Sequence, residues 1–257
     1  MISSTTNPHV KFLRSLRDSV RVRRSERSLF LEGVRLVAHA LASGAQLQRA
    51  LYAPQQLATT PEGARLLADL APHYGAFPAT PEVVAAAADT RHPQGVVAAV
   101  ARPELPPRPG LHLLLDGLQD PGNLGTLLRS AEAAGVGLVI CAPGSADPFQ
   151  PKAVRAAMGA HFSLPLQADQ SWTEIGEALE ALPAIYAADA DATLPYFAAD
   201  WRQPAALIIG NEAHGFSPEA ADLTRQRITI PMVGHAESLN AAVAGSIILF
   251  EALRQRS

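Results

Sequence analysis

Ile228-Thr-Ile-Pro-Met-Val-Gly-His-Ala-Glu-Ser-Leu-Asn-Ala-Ala-Val-Ala-Gly-Ser-Ile-Ile-Leu-Phe-Glu251 reads as a strand, a glycine-bearing loop and an apolar helix in succession. Ile228, Thr229 and Ile230 favour a strand, and Pro231, which has no N–H for a sheet ladder, stops it. Ser238 suits the N-cap of a helix running to about Arg254. Leu239, Ala242, Val243, Ser246, Ile247 and Phe250 recur at helical spacing and are expected to form its buried face. Glu237, Ser238 and Asn240 cluster at the helix entrance, where cap chemistry alone would account for them.

Working outward, strands and helices alternate. Strands are expected over Leu111–Leu115, Leu138–Ala142, His161–Leu166, Ala184–Ala188 and Ala206–Ile209. Helices are expected over Leu124–Ala134, Pro151–Gly159, Trp172–Leu182 and Ser217–Leu223. Such alternation implies an α/β fold, a mostly parallel sheet with helices on both faces. Upstream, Arg102 to Gly110 carries prolines at 103, 106, 107 and 109, which suit neither a helix interior nor a central strand. It divides a small α/β unit, residues 1–102, from residues 111–257, with 103–110 as linker. Within the first unit a basic segment, helical or partly ordered, spans Lys11–Arg27. Helices are expected over Glu32–Ser43, Pro61–Leu70 and Pro81–Ala88, and strands over Leu47–Ala53 and Gly95–Ala101.

The 257 residues can bury one large core or two modest ones, and 48% hydrophobic content with ordinary charge indicates a soluble globular chain. No apolar run approaches the length of a membrane span, and the N-terminus lacks an apolar signal region. Cys141 is the only cysteine, so no intrachain disulfide can form, in keeping with a cytoplasmic location. The net charge of −3 is unevenly spread. Residues 1–35 hold eight Lys/Arg against three acids, a net of +5, which leaves −8 on the remainder. A basic arm of this kind marks either a polyanion contact or a solvated helix face, and charge alone does not separate them. Lys11, Arg14, Arg21, Arg23, Arg24 and Arg35 are the candidate phosphate contacts.

In an open parallel sheet, ligands bind beyond the carboxyl ends of the strands. Three polar loops stand at such ends. Asp116-Gly-Leu-Gln-Asp-Pro-Gly-Asn-Leu-Gly125 leads to Arg129, with Asn123 a candidate cap for the following helix. It is neither a P-loop nor a G-x-G-x-x-G turn. Ile208-Ile-Gly-Asn-Glu-Ala-His-Gly-Phe216 places Glu212 between glycines that permit close backbone approach. The third loop is the opening stretch. A metal site of Glu212, His214 and His235 matches no ligand spacing, and no metal is expected. Ser238 lacks the G-x-S-x-G elbow of a hydrolase nucleophile. His161 is expected to be a partly buried structural histidine.

Taken together, Asn123-x-Gly-x-x-x-Arg129, Gly210-Asn-Glu-x-x-Gly215 and Ile230-Pro-Met-x-Gly-x-x-Glu-Ser-Leu-Asn240 closely resemble the three signature motifs of the SpoU family. These are S-adenosylmethionine-dependent RNA 2′-O-ribose methyltransferases of the SPOUT class. Asn7-Pro-x-x-Lys11, Phe30-Leu-Glu-Gly-Val-Arg35 and His92-Pro-Gln-Gly95 resemble that family's N-terminal substrate-binding domain, which is similar to a ribosomal protein fold. The resemblance implies a C-terminal trefoil knot and a homodimer formed through the last helix. It implies that Asn123, Arg129, Glu212, Ser238 and Asn240 surround the reacting ribose. It places S-adenosylmethionine among Gly210, Asn211, Ile230, Met232, Ser238 and Leu239. Ribosomal RNA is the favoured substrate over tRNA, and a non-catalytic RNA-binding protein is the alternative that five intact polar positions argue against. Two positions depart from the pattern: Ala213 stands where glycine is usual, and Ala157, in Arg155-Ala-Ala-Met-Gly159, where serine is common. A guanidinium, with a pKa above about 12, suits Arg129 to gripping phosphate and stabilising negative charge rather than to accepting a proton.

Overall fold

The computed structural model describes residues 1–234 and 238–257. The chain forms two compact units, one of residues 1–103 and 149–162, the other of residues 104–148 and 163–257.

The first unit runs α1 (Pro8–Asp18), α2 (Val20–Glu26), β1 (Ser28–Glu32), α3 (Val34–Ala42), β2 (Leu47–Tyr52), α4 (Pro54–Leu57), α5 (Pro61–Leu70), β3 (Ala76–Pro78), α6 (Pro81–Ala87) and β4 (Val96–Ala101). Its four-stranded sheet has the order β1-β4-β2-β3, with β4 antiparallel to both neighbours and β2 parallel to β3. Asn7 caps α1 by accepting from the His9 N–H, and proline at the first position of α1, α5 and α6 gives up no helical hydrogen bond. Val10, Leu13 and Leu16 of α1 pack with Val83, Val84 and Ala87 of α6 over Phe30, Leu51, Val97 and Ala99 of the sheet. The expected helix over Glu32–Ser43 begins two residues later, at Val34, because Ser28–Glu32 is a strand buried at every position.

The second run is β5 (Leu111–Leu115), α7 (Pro121–Ala133), β6 (Leu138–Cys141), α8 (Pro151–Ala157), β7 (Leu166–Ala168), α9 (Trp172–Glu180), β8 (Ala184–Ala188), β9 (Leu194–Pro195), β10 (Ala205–Ile209), α10 (Pro218–Leu223), β11 (Gln226–Thr229) and α11 (Ala241–Arg256). Of these, α8 belongs to the first unit. The seven strands are ordered β7-β6-β5-β10-β8-β11-β9, and every pairing is parallel. Ile175 and Leu179 of α9 and Ala220 of α10 cover Leu114, Ile140, Ile185, Ala206 and Ile208. The other face carries α7 and α11. A Cβ on Gly245 would lie 2.5 Å from Leu127 Cδ2 and 3.3 Å from Ile209 Cγ1, so glycine sets the close approach of α11 to α7 and β10.

Three expectations are corrected. His161–Leu166 is not a strand: Ala160–Phe162 is a 3-10 turn and the edge strand starts at Leu166, directly after Pro165, which has no N–H for a sheet ladder. Helix α7 starts at Pro121 with Asp120 as its cap, accepting from the Asn123 N–H at 2.9 Å, so Asn123 lies inside the first turn. Helix α11 starts at Ala241 and is capped by Asn240 rather than Ser238. Its buried residues are Ala241, Ala242, Gly245, Ile248, Leu249 and Ala252. Of the expected face, Ala242 alone is fully buried, while Leu239, Val243 and Phe250 are exposed. The helix is apolar nearly all round, so periodicity did not decide which side turns inward.

Candidate active site

The strand order reverses between β5 and β10, the place where an open parallel sheet receives ligands. The loops leaving these two strands are tied together. Asn211 Nδ2 donates to Gly117 O at 2.7 Å, and Asn211 Oδ1 accepts from the Ala213 and His214 N–H groups at 2.8 and 3.1 Å. Asn211 and Gly215 exchange both main-chain hydrogen bonds, closing the loop on itself. Buried Asp116 accepts from the Ser217 N–H at 2.7 Å and anchors the far end. A Cβ on Gly210 would lie 2.6 Å from Gly215 O and 2.9 Å from Phe216 Cδ1, so the tight closure requires glycine there. Ala213 fits without strain: among the described residues, the non-glycine ones with left-handed backbone are Arg27, Met158 and Asp169.

Beside this loop opens a cleft of about 690 Å³ at the carboxyl ends of β8, β10 and β11. All six residues expected to hold the cofactor line it: Gly210, Asn211, Ile230, Met232, Ser238 and Leu239. Ile209, Ala241 and Ala244 add apolar wall. Its rim carries a chain of amides and a carboxylate. Asn240 Nδ2 donates to Asn123 Oδ1 at 3.0 Å, and Asn123 Nδ2 donates to Glu212 Oε1 at 2.7 Å. Asn240 Oδ1 meanwhile accepts from the Ala242 and Val243 N–H groups, which fixes its amide orientation and hence that of Asn123. Residues from three separated segments thus form one directed network, and Asn123 is free to join it because Asp120 performs the capping.

Glu212 and Ser238 are exposed in this arrangement, and both line the cleft. Arg129 is exposed on α7, outside the residues that line the cleft. Glu237 and His235 lie outside the described residues. Among the described residues no cluster of His, Cys, Asp and Glu suits a metal ion. Burial pushes the Cys141 thiol up to about 12, so it stays protonated at neutral pH.

The cleft also uses residues that sequence reasoning passed over. Ala188, Asp189 and Ala190 leave the end of β8, and Asp189 pairs with Arg227 at 2.9 Å. The available signal was a fourth polar turn, Asp189-Ala-Asp191, at a strand end. Of the candidate phosphate contacts, Lys11, Arg14, Arg21, Arg24 and Arg35 are exposed. Arg23 is buried instead, and its Nη1 donates to Leu16 O and Arg17 O at 2.7 and 2.9 Å, near the end of α1. It is a helix-terminating residue rather than a surface cation.

The fold and the three-loop network define a class, and the sequence matches agree on it. Residues 110–250 match the SpoU rRNA Methylase family, and residues 7–98 match the MRM3-like substrate binding domain. The chain belongs to the SpoU rRNA Methylase family. It is 35% identical over 262 residues to an uncharacterized tRNA/rRNA methyltransferase of Synechocystis sp., covering 99% of this chain and 94% of that one. It is 30% identical to the 23S rRNA (guanosine(2553)-2'-O)-methyltransferase RlmP of Bacillus subtilis, over 97% of each. The crystal structure of the SpoU methyltransferase AviRb from Streptomyces viridochromogenes, in complex with the cofactor AdoMet, superposes with a TM-score of 0.86 at 32% identity, covering 97% of this chain and 98% of that one.

Proposed function

We propose that this protein transfers a methyl group from S-adenosylmethionine to a ribose 2′-hydroxyl of ribosomal RNA. The observation that carries the reading is the Asn240–Asn123–Glu212 network at the rim of a cleft lined by all six expected cofactor residues. The cleft suits the cofactor chemically: Ile209, Ile230, Leu239 and Ala244 offer apolar wall for a flat base, and Glu212 offers a carboxylate toward a cationic ligand. When bound, S-adenosylmethionine supplies the methyl group on a sulfonium centre.

The chain's own residues do the rest. Asn123, held by Asn240, keeps Glu212 at the rim, where the ribose would approach. Ser238 contributes a hydroxyl to the same wall. Arg129 grips the adjoining phosphate and directs an N–H at the ribose oxygen as charge develops, while the proton leaves to a nearby group or to water. Most of the acceleration then comes from positioning and electrostatics.

The remaining roles extend the same reading. Lys11, Arg14, Arg21, Arg24 and Arg35 supply phosphate contacts, so RNA affinity falls steeply with salt. The first hundred residues bind RNA and the region from Leu111 onward binds the cofactor. The loops after β10 and β11 form the trefoil knot that the family implies. A second copy of the chain covers exposed Val243 and Phe250 of α11, giving a homodimer. No described helix is long and apolar enough to cross a membrane, and we place the protein in the cytoplasm. Calorimetry with S-adenosylmethionine tests the cleft: the intact protein binds, and Gly210→Val, which forces the Gly215 and Phe216 contacts apart, lowers affinity at least about tenfold. Equal affinity in the variant contradicts the assignment.

A further inference from the structure

Two motifs of the first unit take no part in the cleft: Phe30-Leu-Glu-Gly-Val-Arg35 and His92-Pro-Gln-Gly95. Val34 and Gln94 stand 60 residues apart in the chain, yet Gln94 Oε1 accepts from the Val34 N–H at 3.0 Å. A cavity of about 590 Å³ opens where the motifs meet, wholly within the first unit. Val34 and Arg35, which open α3, form one wall, and Pro93 and Gln94, ahead of β4, form the second. The third wall holds Gln56 of α4, Thr59, Thr60 and Glu62, the last in the first turn of α5. A Cβ on Gly95, whose φ is +82°, would lie 2.8 Å from Gln56 Cβ, so glycine lets the second and third walls close up.

The polar groups around the cavity fall into two sets. Some are spent locally. Thr59 Oγ1 donates to Gln56 O at 2.7 Å, and Thr60 Oγ1 accepts from the Gly63 N–H at 3.1 Å. The bond to Val34 likewise occupies Gln94 Oε1 and leaves the Nε2 donor. Others are unspent: Arg35, Gln56 and Glu62 are exposed, and among the described residues their side chains have no hydrogen-bond or ion-pair partner. The apolar side chains of the wall are Val34 and Pro93, which suit one flat ring rather than an apolar ligand. The volume lies in the range of small-ligand sites and admits a single nucleotide.

The chemistry narrows the ligand further. The fork of a guanidinium matches a phosphate. A carboxylate only accepts, and guanine alone among the bases presents two adjacent donors, N1–H and N2–H, on its Watson–Crick edge. That edge is free in unpaired, unstacked nucleotides, where RNA sequence is mostly read. We propose that this cavity holds an unpaired guanosine of the RNA substrate, with Arg35 on its phosphate and Glu62 on its Watson–Crick edge. That the ligand is RNA rests on the function proposed above.

The test uses the full chain and three RNA hairpins with the same stem, one with a single bulged guanosine, one with a bulged adenosine and one without a bulge. Fluorescence anisotropy at about 0.15 M salt gives Kd. The intact protein should bind the guanosine hairpin about tenfold more tightly than the other two. Glu62→Gln should cut that preference to about twofold or less and leave affinity for the unbulged hairpin within about twofold. Arg35→Ala should weaken both bulged hairpins alike, about fivefold, and lower the slope of log Kd against log salt by about one. Both residues are exposed, so the thermal midpoints should hold within about two degrees. Equal affinity of the intact protein for all three hairpins, or a guanosine preference unchanged in Glu62→Gln, would overturn the proposal. If the preference holds and no RNA takes a methyl group, the functional reading fails and the site stands. Methyl transfer to ribosomal RNA without the preference removes the site alone.

Discussion

The paired charges of the first unit and the charged residues of the cleft are used in opposite ways. In the first unit, Glu32 is buried and surrounded by donors, Arg23 is buried against main-chain carbonyls, and Arg155 faces two carboxylates. At the cleft, Glu212 and Ser238 remain exposed, Arg129 is exposed on α7, and Glu212 is oriented by a single amide. A satisfied buried charge is costly to disturb and has no capacity left for a ligand. An exposed group held from one side keeps lone pairs or N–H groups for a substrate. Both kinds of residue occur within motifs that resemble the same family, so a motif position by itself does not say which kind it is.

Substitutions can break this contrast or sharpen it. The largest effect should come from Arg129→Ala, which lowers kcat by about 1,000-fold while cofactor affinity by calorimetry stays within about twofold. Arg129→Lys, which keeps the charge and loses the planar fork, should be nearly as inactive at every pH tested. A robust Lys variant with a pH–rate profile moved to lower pH would instead make this residue a base. Next comes Glu212→Gln, with a loss of about 100-fold in kcat and no change in the urea midpoint. A destabilised Glu212 variant would place this carboxylate with Glu32.

Glu32→Ala should show the reverse pattern, losing about 3 kcal/mol of stability in urea while the folded protein binds S-adenosylmethionine normally. Unaltered stability would remove Glu32 from the structural class. The smallest effect belongs to Glu251, whose carboxyl the Arg254 and Gln255 side chains hold down to about 2. Because its folded value lies below the ordinary one, its contribution is present above about pH 4.5 and is lost as pH falls toward 2. The Arg254 side chain is 69% exposed, which lets solvent screen the pair from one side, so Glu251→Gln should shift the thermal midpoint by barely a degree at pH 6 and by nothing near pH 2. A large shift at pH 6 would show that a half-exposed ion pair counts here as much as a buried one.

Much of this architecture was legible in residue patterns. Strand–helix alternation announces the parallel sheet, and polar, glycine-bearing loops at strand ends announce the cleft. The misses have local causes. Ser238 and Asn240 are both good N-caps two residues apart, and only the packed helix selects Asn240. Asp120 and Asn123 competed in the same way, and capping by Asp120 is what leaves Asn123 for Glu212. The inward face of α11 was ambiguous because Val243 and Phe250 are as apolar as Ile248 and Leu249. Strands β3 and β9, of three and two residues, carry too little periodicity to detect. Nothing in the sequence of residues 149–162 announces that they pack with the first unit, since that depends on Asp89 and Glu32 far upstream.

The central claim is that the cleft and its amide–carboxylate rim perform methyl transfer to ribose. The most direct measurement incubates the intact protein with ribosomal RNA and methyl-labelled S-adenosylmethionine, digests the RNA to nucleosides and identifies the labelled product. The account predicts label in a single 2′-O-methylated nucleoside, abolished by Arg129→Ala. Label on a base, label in tRNA alone, or no label despite cofactor binding would contradict it.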